Sequence, residues 1–264
     1  MGADMVFGHL AESFCNKADL QEAAGSEVQR IADFYGERKM DLKRKQAYDA
    51  YFKNYRNHSL ASSTLWRFGE LAFQQKDYGT ALGYYSRIIS SYTNLPVFFS
   101  ALNRTAQIQE EANDLTNAVV TLAEFVGQTE ARGRPDAALV SGKFRLAMAQ
   151  KNLAVGKLRA DPTADPSATM RDLVRAAASF GSLAKALVDP DSVLSKAPDT
   201  NKEHNAALAE AALFNKAYCL QLVPKAAEKS ADLHKLAVAG YVELVTRFPK
   251  SKYAPSSLMQ AGSI

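Results

Sequence analysis

Side chains that could carry out chemistry are few in this chain and are scattered along it. No two cysteines are closely spaced, since Cys15 and Cys219 lie near opposite ends, and no glycine-rich segment leads into Gly-Lys-Ser/Thr. Each histidine stands alone, without a His-Glu-x-x-His pair: His9, His58, His204 and His234. The sequence therefore predicts a protein that is not an enzyme and that holds no metal and no cofactor.

One run of positive charge could act electrostatically. We call it the basic patch, and it consists of Arg38, Lys39, Lys43, Arg44 and Lys45. Together with the cations that follow up to residue 56, it could dock an acidic protein, anionic lipid head groups or nucleic acid. Acidic neighbours dilute it, and a solvated helix face explains the same residues. Both interpretations stay open at this point.

The elements that must position these residues are predicted to be helices throughout, because apolar residues recur at helical spacing and no long segment alternates like a strand. A short pattern returns five times, with an aromatic residue or Leu followed by apolar residues three and four positions on: Tyr48, Tyr85, Leu122, Phe180 and Tyr241. Four positions earlier stands Ala81, Ala118, Ala176 or Ala237, while the first copy has Arg44. Such self-similarity predicts an all-α repeat array in which each unit stacks on its neighbours.

The predicted domain organisation is a single array over residues 1–264, built from about five helical hairpins. We place the units at about 17–57, 58–95, 96–130, 135–189 and 201–249. Residues 252–264 begin a further unit that stops inside a helix, so we expect the chain to be a fragment of a longer repeat protein.

Composition narrows the function further. The chain has 264 residues, of which 47% are hydrophobic, and 32 basic against 28 acidic residues give a net charge of +4. This excess is too small to indicate nucleic acid as a partner. No stretch approaches the roughly 18 apolar residues of a membrane-spanning helix, so no transmembrane segment is expected.

The helical hairpins resemble tetratricopeptide repeats, in which a small residue in each helix and an aromatic residue in the second set the pairing. Gly69, Ala81 and Tyr85 match those positions in one unit, and Ala106, Ala118 and Leu122 match them in the next. The resemblance implies a right-handed superhelical solenoid whose concave groove binds a peptide or a helix of another protein. It also implies that the first helix of each unit faces this groove.

Two stripes of residues would then line the groove. One is Ser63, Trp66, Glu70, Phe73 and Gln74, with two aromatic side chains seven positions apart. The other, one unit on, is polar and contains Asn103, Gln107 and Glu110. It lacks the Lys and Asn pattern of repeats that clamp a C-terminal carboxylate. The alternative is that Trp66 and Phe73 pack against a neighbouring repeat.

The links between units resemble those of bacterial envelope proteins of the outer-membrane assembly lipoprotein and Tol-Pal coordinator type. Their aromatic-Pro-x-Ser-x-x-Ala link is matched by residues 248–254 and more weakly by residues 55–61. The Pro would end one helix and the Ser would cap the next. The resemblance implies an envelope complex and a periplasmic location if a signal lies outside this fragment, and a cytoplasmic location otherwise.

These observations predict a non-enzymatic scaffold that binds a protein or peptide partner in its groove. The alternative is a basic adaptor that binds an anionic membrane surface or nucleic acid through residues 38–56. The sequence does not identify the partner or the oligomeric state.

Overall fold

The structure is a computed structural model. It describes residues 21–55, 58, 60–133, 136–161, 165–196 and 202–264, except for the side chains of Gln21, Asp41 and Lys45. Every regular element in these ranges is an α-helix, which confirms the all-α fold class. The described helices are α1 (Gln21–Glu37), α2 (Asp41–Asn54), α3 (Ala61–Gln74), α4 (Tyr78–Ser91), α5 (Pro96–Glu111), α6 (Leu115–Ala131), α7 (Ala137–Ala160), α8 (Pro166–Val188), α9 (Lys202–Gln221), α10 (Ser230–Arg247) and α11 (Ala254–Ser263).

Many helices that follow one another along the chain pack together. Contacts join α1 to α2, α3 to α4 and α6 to α7, and they continue from α7 through each successive helix to α11. The chain divides into two compact units, Met1–Ala101 and Leu102–Ile264. The boundary between these units falls within α5. The single array over the whole chain stays a prediction.

In four turns between the described helices, a residue other than glycine adopts the left-handed backbone conformation. Lys39, Lys76, Asn113 and Lys229 all have a left-handed backbone, with φ of 56°, 60°, 56° and 61°. Consecutive members of the first three positions are 37 residues apart (76 − 39 and 113 − 76), which is also the spacing from Tyr48 to Tyr85 and from Tyr85 to Leu122. The turn and the apolar pattern therefore repeat together in this part of the chain.

Aspartates stand directly before several helices and fix where those helices begin. The Asp77 carboxylate accepts a hydrogen bond from the Thr80 backbone N–H at 3.2 Å, directly after the left-handed Lys76. Asp114 does the same for the Asn117 backbone N–H at 3.3 Å, after the left-handed Asn113. These bonds satisfy backbone donors that a helix start would otherwise leave open.

The residues of the five-fold pattern pack in the core, as predicted. Its aromatic or Leu positions and the four preceding alanines are all buried. Arg44 replaces the small residue in the first copy because Gly36 in α1 makes room for it: a methyl added at Gly36 would lie 2.9 Å from Arg44 Nε. The pattern therefore marks the core, and a binding surface must lie elsewhere.

Small residues also permit close helix approach. A methyl added at Gly69 in α3 would lie 2.5 Å from Tyr85 Cε1 in α4, and one added at Gly142 in α7 would lie 2.6 Å from Phe125 Cε1 in α6. Both rings occupy the space that the missing side chain leaves. The core of the second unit continues through Phe180 of α8 and Leu244 of α10.

Candidate functional site

Trp66 lies on α3 with its indole only half-buried. One part of the indole packs on the Tyr85 ring of α4, with ring centroids 5.5 Å apart and an interplanar angle of 40°. The remainder lines a pocket of about 460 Å³ that we call the Trp66 pocket. Its other lining residues are Arg44, Arg67, Phe68, Glu70, Leu71 and Gln74.

The Trp66 pocket combines apolar walls with charged side chains of both signs. The Phe68 ring lies near two guanidinium groups, with its centroid 5.2 Å from Arg44 Cζ and 5.5 Å from Arg67 Cζ. Leu71 is 42% exposed and extends the apolar surface. Glu70 accepts a hydrogen bond from the Tyr85 hydroxyl at 2.6 Å, which holds its carboxylate beside the indole. Such a mixture suits an apolar anchor that carries polar neighbours.

The structure brings part of the first predicted stripe together. Trp66, Glu70 and Gln74 share the pocket, and Arg44 of the basic patch joins them from α2. Phe73 lies outside it, half-buried against Tyr78 with ring centroids 5.7 Å apart. Ser63 is exposed and also lies outside, where its hydroxyl donates to the Leu60 carbonyl at 2.9 Å.

The second predicted stripe, on α5, is bound to other side chains. Arg145 of α7 donates through Nε to Glu110 Oε2 at 3.0 Å and also binds the Asn103 side chain. The Arg104 guanidinium donates to Gln107 Oε1 at 2.8 Å. Asn103 and Glu110 therefore tie α5 to α7, while Gln107 bonds within its own helix.

The basic patch is spread over aromatic rings. Arg38 lies over the Phe34 ring at 4.4 Å, and Lys43 lies over the Tyr35 ring at 5.7 Å. Lys39 is exposed in the left-handed turn, and the side chain of Lys45 is outside the described residues. Each of these two rings attracts the cation above it, so part of the basic patch packs against aromatic side chains of α1.

A recurrent polar contact within the helix pairs is absent from the sequence-based predictions. The Tyr48 hydroxyl donates to Asp33 Oδ1 at 2.5 Å, and the Tyr85 hydroxyl donates to Glu70 at 2.6 Å. In both cases the acceptor stands 15 positions before the tyrosine. This shared spacing is the sequence feature from which the contact could have been predicted. Burial raises the pKa of Tyr48, and the bond to Asp33 acts in the same direction. Tyr48 therefore stays protonated and serves as a donor.

The two predicted links, residues 55–61 and 248–254, use different side chains to make similar contacts. Ser251 accepts the Tyr253 backbone N–H at 3.1 Å and donates to Glu210 Oε2 at 2.8 Å. At the matching position, His58 Nδ1 accepts the Leu60 backbone N–H at 3.3 Å. Its Nε2 must then carry the hydrogen, which it donates to the Glu22 carbonyl at 3.1 Å. Each link side chain thus joins the start of one helix to an earlier helix.

Within the described part of the chain, no three His, Cys, Asp or Glu side chains stand close enough to hold a metal ion. None of the helices described is both long and apolar enough to span a bilayer. A scan against protein-family models gives no match, and a search of curated proteins finds no similar sequence.

Proposed function

We propose that this chain is a non-enzymatic scaffold of the tetratricopeptide-repeat type, which binds a segment of a partner protein at the Trp66 pocket. Helices that pack in sequential pairs support the repeat assignment. The shared 37-residue spacing of the left-handed turns at Lys39, Lys76 and Asn113 supports it as well.

The observation that carries the proposal is the half-exposed Trp66 beside an exposed Leu71, in a pocket with two guanidinium groups. Trp and Arg are the residue types most enriched where binding energy concentrates. A pocket of about 460 Å³ takes one or two side chains and not a whole helix. We therefore expect a partner segment that inserts one large apolar side chain and places a carboxylate near Arg44 or Arg67.

The test starts from peptides selected on the full chain out of a displayed random library, with affinities then measured by calorimetry. Trp66→Ala should weaken a selected peptide by about 2 kcal/mol or more, which is roughly thirtyfold in Kd. Leu71→Ala should weaken it as well. The matched control is Leu95→Ala, because Leu95 is exposed to the same extent, 41% against 42%, and does not line the pocket.

Melting temperatures of the same variants separate binding from packing. If Trp66→Ala lowers the melting temperature while peptide affinity stays unchanged, Trp66 stabilises the fold through its contact with Tyr85. The proposal then fails. Selected peptides without an apolar anchor would count against it equally.

The basic adaptor for anionic membranes or nucleic acid has less support. It requires cations that are available to a ligand, whereas Arg38 and Lys43 each lie over an aromatic ring. Binding of anionic vesicles or of nucleic acid that weakens steeply with salt, and that is lost in Arg38→Gln/Lys39→Gln, would favour this alternative.

A further inference from the structure

Lys151 in the middle of α7 is a partly buried cation without an ionic partner. Its Nζ donates to Asn215 Oδ1 of α9 at 2.8 Å, and burial lowers the pKa of Lys151. Other lysines of the same helix are paired, Lys143 with Glu130 and Lys157 with Asp172. No carboxylate in the described part of the chain pairs with Lys151. A partly buried cation without a counter-ion loses some of its hydration, and a bound anion would offset that cost.

The amide beside Lys151 is itself fixed in place. Asn215 is buried, and its Nδ2 donates to the Ala211 carbonyl at 2.8 Å, so its Oδ1 points toward the ammonium group. The ammonium has three hydrogens, and Asn215 takes one of them. The remaining donors are available to a ligand.

Lys151 lines a pocket of about 430 Å³, which we call the Lys151 pocket. Val155 and Arg159 line it too, at successive four-residue steps along the same face of α7. No acidic residue lines the Lys151 pocket in the described part of the chain. The Asp114 carboxylate is nearby in sequence, but it accepts hydrogen bonds from the Asn117 backbone and side chain.

The remaining walls suit an organic anion. Asn152 offers an amide, while Val155 and the ring of Tyr218 offer apolar surface. Arg159 is exposed, and no described carboxylate pairs with it, so the pocket has a second free cation. Two positive charges match the charge of roughly −1.5 to −2 that a phosphate monoester carries at pH 7. A monocarboxylate would balance only one of them.

We propose that the Lys151 pocket binds a small phosphate monoester, with Lys151 and Arg159 on the phosphate group and Tyr218 against the organic part. The site lies within the Leu102–Ile264 unit and is independent of the proposed partner segment at Trp66. Lysine and arginine are the usual phosphate ligands, and charge-assisted hydrogen bonds are stronger than neutral ones.

The experiment uses calorimetry on the full chain in chloride buffer, with phenyl phosphate, inorganic phosphate and benzoate as probes. Phenyl phosphate should bind best, and Lys151→Met should weaken it by about tenfold or more, as expected for loss of a charge-assisted bond. Arg159→Gln, at an exposed position, should weaken it without affecting folding. Lys157→Met is the matched control, because Lys157 lies on the same helix and does not line the pocket.

Gly156 allows a second test that separates charge from volume. Gly156 lines the Lys151 pocket, and a methyl added there meets no heavy atom within 4 Å, so a larger residue can be introduced without a clash at its Cβ. Gly156→Glu should abolish phenyl phosphate binding, and the isosteric Gly156→Gln should reduce it less.

Three results would overturn the proposal. They are no binding of phenyl phosphate to the native chain, equal binding by Lys151→Met, and benzoate binding as tight as that of phenyl phosphate. If inorganic phosphate binds as tightly as phenyl phosphate, the organic part contributes nothing, and the ligand is free phosphate rather than an ester.

Discussion

At the residue scale, the buried tyrosines of the repeat pattern have two separate roles. Their rings fill the space between paired helices, and their hydroxyls bond to a side chain of the first helix of the pair. The acceptor is a carboxylate for Tyr85, at Glu70, and a neutral amide for Tyr241, whose hydroxyl donates to Gln221 Oε1 at 2.7 Å. Since charged acceptors form stronger hydrogen bonds, the two tyrosines should differ in their contribution to stability.

Replacing each tyrosine by phenylalanine tests this difference. Tyr85→Phe should lower the free energy of unfolding by about 1.5–3 kcal/mol, and Tyr241→Phe by about 0.5–1.5 kcal/mol. Both tyrosines are fully buried, so the two substitutions remove the same atom from similar surroundings. Urea unfolding followed by circular dichroism measures both values. An equal loss in the two variants would show that the acceptor's charge is unimportant here.

At the element scale, the structure depends on where helices turn and on how closely they approach. A left-handed lysine costs about 1–2 kcal/mol in backbone strain, because its Cβ crowds the following carbonyl. A glycine at a contact costs backbone entropy, but it is required where a ring occupies the space. Each device can be tested with a matched site elsewhere in the chain.

Lys76→Gly should raise the free energy of unfolding by up to about 1.5 kcal/mol. Relief of the left-handed strain gains about 1–2 kcal/mol, and the extra freedom of glycine in the unfolded chain costs about 0.5–1 kcal/mol. Lys76 is exposed, so little packing is lost. Lys250→Gly is the control, because Lys250 is exposed and does not have a positive φ. That substitution should destabilise slightly, and the opposite order of the two variants would contradict the explanation.

Two glycines of α7 give a contrast within one helix. Gly142→Ala should destabilise by about 1–3 kcal/mol, because the new methyl would overlap the Phe125 ring. Gly156→Ala should stabilise by about 0.5–1 kcal/mol, because its methyl meets nothing and alanine favours a helix. Thermal unfolding of both variants measures the difference. A stabilising Gly142→Ala would mean that α6 and α7 can separate without cost.

At the scale of the whole molecule, the chain consists of two compact units built from buried alanines, leucines and aromatic residues. Several groups inside them titrate only at high pH. Burial raises the pKa of Tyr48, Tyr51 and Tyr241, and it raises the pKa of the free Cys219 thiol to about 12. Lys151 acts in the opposite sense, since burial lowers its pKa.

The chain should therefore lose stability in mild alkali. Below about pH 7.5 these thiol and phenol groups are protonated in both states, and their burial carries no penalty from pH. Above it, the unfolded chain releases protons that the folded chain retains, so unfolding becomes more favourable as pH rises toward 12. Lys151, whose pKa is lowered, offsets only part of this loss. Urea unfolding at pH 7.5 and pH 10 should show a lower free energy at pH 10, and an increase would contradict the burial described.

The sequence was sufficient for features that arise from local periodicity. Helical spacing predicted an all-α chain, and the recurrent alanine and aromatic positions predicted the core, because one face of each helix must be buried. Contacts between helices were harder to predict from the sequence. Arg145 binds Glu110 from 35 positions away, and Arg44 reaches the Trp66 pocket from another helix. Lys151 also gave no signal in the sequence, since its burial depends on the placement of α9.

The Trp66 pocket contains the chain's single tryptophan. Light absorbed selectively by indole is therefore absorbed at one place only, although the chain also has 11 tyrosines and 13 phenylalanines. A guest that displaces water from the pocket would shift the emission of Trp66 to shorter wavelength, and a quencher dissolved in the buffer would reach the indole less often. The protein thus carries its own optical probe at the proposed binding surface, and occupancy can be followed without attaching a label.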